Sequence, residues 1–166
     1  MKLTKSKLKQ LIKEELTYIT EASEWAKHGA IFAARVAPAV KIATAGIESF
    51  KAAAQSRPSQ RGYRAGALAL ASRDIAAAIA EISDLRPKHK DWTKEDLQQL
   101  NKMKVQWEYW YALSLYRASQ DTAADPRWAK MALKATERCA QNERGAPAVY
   151  KACIRLRSRL KRKQNK

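Results

Sequence analysis

Apolar residues recur at intervals of three and four along most of the chain, and this period predicts helices. In the opening segment Leu8, Leu11, Ile12, Leu16 and Ile19 form one apolar face, with charges around the rest of the circumference. Thr4 is placed to cap this short amphipathic helix, with Leu3 and Leu8 in the two positions of a hydrophobic staple. A second stripe, Trp25, Phe32, Val36, Val40, Ala43, Ile47 and Phe50, runs from Ser23 to Gln55. Pro38 lacks a donor and crowds the preceding turn, so the stripe is expected to kink or break near Ala37 into two helical pieces.

The next helix is expected from about Gln60 to Leu85, with Leu68, Ile75, Ile79 and Ile82 as its buried line and Pro87 as its stop. Gly62 and Gly66 weaken its start by up to about 1 kcal/mol each relative to alanine. The clearest start signal follows: Thr93 as cap, Glu95 and Asp96 in the first turn, and Trp92 poised to staple onto Leu97. Trp107, Tyr109, Trp110, Tyr111 and Tyr116 surround this third helix with rings as far as Ser119, which predicts a central position. Asp125-Pro126 opens a fourth helix lined by Trp128, Met131, Ala135 and Cys139. Gly145 and Pro147 separate it from a fifth, with Val149, Cys153, Leu156 and Leu160 inside.

The pattern therefore predicts an all-α fold: a bundle of about five helices in antiparallel hairpins, preceded by a detachable amphipathic helix. Residues 1–21 read as a leader and residues 22–166 as one basic helical domain. The later helices have the alanine-rich look of tetratricopeptide hairpins, but no fixed period establishes such a repeat.

Charge sharpens this picture. Lysine and arginine outnumber acids 33 to 16, for a net charge of +17, which points to a polyanionic partner, nucleic acid before membrane. Removing residues 1–21 takes away five lysines and three glutamates and leaves +15, so the basic character belongs to the body. Its densest part is the C-terminus, where Lys151, Arg155, Arg157, Arg159, Lys161, Arg162, Lys163 and Lys166 occur without an acid. A second basic set, Arg57, Arg61, Arg64 and Arg73, opens the second helix, with Tyr63 among it as a ring that either stacks on a base or, more commonly for a single ring, covers the core edge. With no zinc-ligand spacing, recognition-helix pattern or ribonucleoprotein motif, these cations point to phosphate binding without base readout.

The leader is charged against its own helix dipole. Lys5, Lys7 and Lys9 stand near its start and Glu14 and Glu15 near its end. Such a short helix needs a partner surface, which suits a docking tag. At its end stands Ile19-Thr20-Glu21-Ala22, followed at once by a new start signal at Ser23. This leader resembles the capsid-targeting N-terminus of internal head proteins of large contractile-tailed phages. The resemblance implies that Leu8, Leu11, Ile12 and Leu16 dock into the prohead core and that the prohead protease cuts after Glu21. Ile19 would be the recognition position and Ala22 the new N-terminus.

Chemistry of other kinds finds little footing. His28 and His89 are the only histidines, and no metal-ligand cluster, phosphate-binding glycine loop or nucleophile elbow occurs. No enzymatic activity, cofactor or metal is expected. Glu108 among the rings of the third helix is either a buried acid or, more commonly for such a helix, an exposed one. Cys139 and Cys153 read as two small buried hydrophobes in a reduced compartment. The run from Gly29 to Ile47 carries Arg35 and Lys41, so neither a membrane span nor a membrane partner is expected.

The expected function is that of a phage internal head protein that binds nucleic acid, DNA in the first place, without sequence preference. It would meet prohead core or capsid proteins through the leader and reside in the virion interior. The host cytoplasm would hold it before assembly or after ejection, where the resemblance suggests a host defence protein as a further partner. Two rivals stand beside this reading: a helical adaptor whose N-terminal helix binds a protein, and a small enzyme, toxin or nuclease inhibitor without a readable motif.

Overall fold

A computed structural model describes residues 29–55, 61–120, 125–141 and 146–164. The docking residues Leu8, Leu11, Ile12 and Leu16, the cleavage residues Ile19, Glu21 and Ala22, and Arg57 lie outside this described set. The described residues form five helices and no strand: α1 (Gly29–Gln55), α2 (Arg61–Lys88), α3 (Lys94–Ala118), α4 (Pro126–Cys139) and α5 (Pro147–Gln164). The fold is an all-α helical bundle. Its compact body spans Val36–Lys166, and the turns of α1 before Val36 belong to a separate unit.

α1 corrects the first expectation, because it passes through Pro38 without a break. Pro38 and Ala34, the residue whose carbonyl loses its donor, both occupy exposed positions, so water can satisfy that oxygen. Within the body, Val36, Ala39, Ala43, Ile47, Phe50 and Ala53 are the buried line of α1. Its length and a window of mean hydropathy 1.5 would also suit a membrane-crossing helix, and 33% of that window is buried inside the protein.

α1 meets α2 closely at Gly46. A side chain there would place its Cβ 2.9 Å from Ile75 Cγ1 and 3.1 Å from both the Ala71 carbonyl oxygen and the Ile75 amide nitrogen. Two of those three neighbours are backbone atoms and cannot swing away. Gly46→Ala is therefore expected to lower stability by about 1–3 kcal/mol through overpacking. Gly66, with nothing within 4 Å of its added Cβ, should behave in the opposite way. Gly66→Ala is expected to raise stability by roughly 0.5–1 kcal/mol by reducing the freedom of the unfolded chain. Urea unfolding of the two variants measures both signs.

α2 continues one residue past Pro87 to Lys88. Its buried line is Leu68, Ala71, Ile75, Ala78, Ile82 and Leu85, whereas Ile79 is only half-buried. The Trp92 indole N–H donates to the Leu85 carbonyl at 3.3 Å, satisfying one oxygen of the last turns, and its ring meets His89 edge-on. Trp92 thus closes the preceding helix, beyond the staple onto Leu97 that its position suggests.

α3 begins as its sequence predicts. Thr93 is extended, its hydroxyl accepts from the Asp96 amide at 3.1 Å, and the Asp96 carboxylate accepts from the Thr93 amide at 3.0 Å. It is the central helix, packing against α2, α4 and α5. Trp107, Tyr109 and Trp110 are buried, and Trp110 meets Phe50 of α1 in an edge-type ring contact at 5.4 Å between ring centres. Tyr111 and Tyr116 are half-buried.

Candidate nucleic-acid interface

α4 and α5 form the hairpin on which the C-terminal run of cations stands. Asp125 caps α4, its carboxylate accepting from the Arg127 amide at 2.8 Å, and Pro126 fills the first helical position without losing a bond. The side chain of Arg127 returns to the same carboxylate at 2.7–3.1 Å. These bonds from Arg127 hold the Asp125 carboxyl below its ordinary range. Ala132, Ala135, Thr136 and Cys139 are the buried face of α4, whereas Met131, expected inside, is 42% exposed. The small alanines let α4 sit close to its neighbours, and Met131 falls just outside the arc they cover.

The cysteines are joined, which corrects the reading of them as two free buried hydrophobes: Cys139 Sγ bonds Cys153 Sγ, and both residues are fully buried. The period correctly places both on inner faces; that the two faces meet is a tertiary fact. A Cα separation of 6.2 Å lies within the range a disulfide spans. This pairing also removes the argument for a reduced compartment, since such bonds persist where conditions are oxidising.

Two cross-links orient the hairpin. Cys139 meets Cys153, and Glu137, two residues earlier, pairs with Arg157, four residues later, at 3.5 Å. Sequence numbers thus run in opposite directions along the two helices, which is the antiparallel arrangement expected. Val149, Cys153, Leu156 and Leu160 are all buried, as the pattern predicts, so the opposite side of α5 must face solvent.

On that side stand Lys151, Arg155, Arg159 and Arg162, all exposed and spaced by four, four and three. This spacing makes one ridge, about 16 Å long at 1.5 Å per residue. Lys161 is exposed, and Arg157 is half-buried against Glu137. Lys163 and Arg61 lie on α5 and α2 with side chains outside the described set. α5 contains no acid.

The second basic set does not join the first. Arg64 is half-buried on α2, which does not pack extensively against α4 or α5 among the described residues. Arg73 contacts the neighbouring Asp74 at 3.7 Å. Tyr63 corrects another expectation: it is 76% exposed and does not cover the core edge.

Lys130 and Lys134 were not singled out from the sequence, yet they belong to the hairpin's charge. They precede Glu137 by seven and three residues, which places all three on one stripe of α4. Because Glu137 reaches Arg157, that stripe borders α5, and in the antiparallel order Lys130 and Lys134 lie level with its cationic C-terminal half. Both are exposed, and neither enters an ion pair among the described residues. The two described acids of this hairpin, Asp125 and Glu137, are already taken by Arg127 and Arg157.

Behind the hairpin Glu108 is buried, which settles the alternative left open by the sequence, and it ties α3 to α4. Arg138 Nε donates to Glu108 Oε1 at 2.8 Å, while Nη2 lies 2.8 Å from Oε2 without an aligned hydrogen bond. The bond to Glu108 raises the Arg138 pKa above its usual value. Burial, partly offset by Arg138, pushes the neighbouring Tyr111 phenol above its ordinary range. Among the described residues no group of three histidine, cysteine or acidic side chains could hold a metal ion. Comparison with protein-family models, curated proteins and solved structures returns no match to this chain.

Proposed function

We propose that the chain is an internal head protein of a large contractile-tailed phage. Its leader docks in the prohead core and is released at Glu21, and its body stays with packaged DNA by neutralising phosphates. The observation that carries the nucleic-acid part is the outward ridge of α5, four exposed cations on a helix without an acid. The leader part rests on Ile19-Thr20-Glu21-Ala22. Base readout is not part of the reading, and ejection with the genome would bring the protein into the host cytoplasm.

Unrelated DNA sequences are expected to shift equally in gels, and affinity should fall steeply with salt. Four phosphate contacts on duplex DNA correspond to a slope of log affinity against log salt of about −3.6. A salt-independent or sequence-dependent shift would overturn the phosphate reading. Intact mass of the protein from virions, or from co-expression with the protease, should begin at Ala22.

One observation favours the adaptor reading: Tyr63 and Leu70, seven residues apart on one side of α2, are 76% and 55% exposed. Under that reading the intact mass begins at Met1 or Lys2, and a protein partner is retained by the uncut chain.

A further inference from the structure

We infer that the seam of the α4–α5 hairpin, one turn beyond the Glu137–Arg157 pair, binds a free polyvalent phosphate, pyrophosphate being the simplest, between Lys134 of α4 and Arg157 and Lys161 of α5. The site is distinct from the ridge proposed to meet DNA. Arg155 and Arg159 each stand two residues from Arg157, which places them about 160° round the helix from it.

The Glu137–Arg157 pair fixes which side chains meet at the seam. It turns the Arg157 side of α5 toward α4, and Lys161, four residues on, lies about 40° round from Arg157 and about 6 Å further along. On α4, Lys134 stands three residues before Glu137, about 60° round and about 4.5 Å back. Because the two helices run antiparallel, both displacements point the same way, and the two lysines come level with each other. Both are exposed. Axes of packed helices stand about 8–10 Å apart, so long side chains from neighbouring helices can converge on one anion. Lys130, one turn before Lys134, extends the positive region.

The described acids of the hairpin do not neutralise this cluster. Asp125 is held by Arg127, and Glu137 meets Arg157 Nη2 at 3.5 Å, longer than the about 2.7–2.9 Å of a well-made charge-assisted bond. The Nε hydrogen of Arg157 is buried and finds no acceptor. Arg157 thus keeps donor capacity to spare, and Lys134 and Lys161 bring like charges to one level of the seam. An anion there accepts from the guanidinium and both ammonium groups and relieves their repulsion. Glu137 cancels one of the charges, and those that remain call for a group with several negative charges. A carboxylate or a nucleic-acid diester brings a single charge per group, so the cluster favours a free polyvalent phosphate.

The test uses the full chain and inorganic pyrophosphate, with melting followed by circular dichroism at constant ionic strength. Pyrophosphate should raise the parent's melting temperature by on the order of 5 °C once it exceeds its dissociation constant about a hundredfold. K134Q/K161Q exchanges two exposed side chains, should melt no lower than the parent without pyrophosphate, and should lose most of the shift. K151Q/R155Q removes the same charge from the ridge and should retain it. No shift in the parent, an undiminished shift in K134Q/K161Q, or equal losses from the two charge-matched pairs would overturn the seam site. So would a lower melting temperature of K134Q/K161Q without pyrophosphate, since its lysines would then be satisfied within the protein. The ridge reading is decided separately, by whether the parent shifts DNA at low salt.

Discussion

Replacing Cys139 and Cys153 together by alanine is expected to lower the stability of the body by about 3 kcal/mol, the chain-entropy value for closing a loop of roughly this length. The two residues are 14 apart in sequence, and the loop they close contains the connection between α4 and α5. Without the bond the unfolded chain gains freedom, and the buried line of α5 must hold that helix by packing alone. Because both side chains are fully buried, alanine is the suitable replacement; serine would add a hydroxyl in need of a partner. The melting temperature should fall by on the order of 10 °C. The urea dependence should steepen, since a chain without the cross-link exposes more surface on unfolding. A double variant as stable as the parent under oxidising conditions would show that the bond contributes nothing.

Arg138→Met should cost about 3 kcal/mol, at the lower end of the range for removing one partner of a buried ion pair. The Glu108 side chain is 5% exposed and would lose its Arg138 partner among aromatic rings. The lower end applies because the Arg138 side chain is 51% exposed, so water can reach part of the vacated position. Combining it with Glu108→Leu should recover most of the loss, because two apolar groups of similar size leave no charge behind. The double-mutant cycle by urea unfolding would thus show a coupling of about 2–3 kcal/mol. If the double variant were no more stable than Arg138→Met alone, the buried carboxylate would not be the source of the cost.

Local signals were readable wherever one helix could be judged by itself. The reciprocal bonds of Thr93 and Asp96, the cap at Asp125 and the inner line Val149, Cys153, Leu156 and Leu160 all follow from spacing and caps. The ring-rich helix did prove central. Errors arose where a residue's role depends on what stands opposite. Pro38 stops an isolated pattern, but its freed acceptor faces water, so α1 continues. Met131 and Tyr63 have the composition of covered residues, yet no helix among the described residues covers them. Glu108 stood open between a buried and an exposed acid, and Arg138, thirty residues later, decides it.

The candidate interface divides in the same way. Seven cations and no acid on α5 could be counted from the amino acids, and the apolar line dictates which of them face outward. That the α4 stripe of Lys130, Lys134 and Glu137 borders α5 could not be read in the same way, because it depends on Glu137 finding Arg157.

Helical period, caps and net charge are properties of neighbours along the chain, and they determined an all-α, strongly basic protein with a cationic last helix. Which faces meet is decided by packing among segments far apart in sequence. That packing alone united Cys139 with Cys153, buried Glu108 against Arg138, and brought Glu137 of α4 to Arg157 of α5.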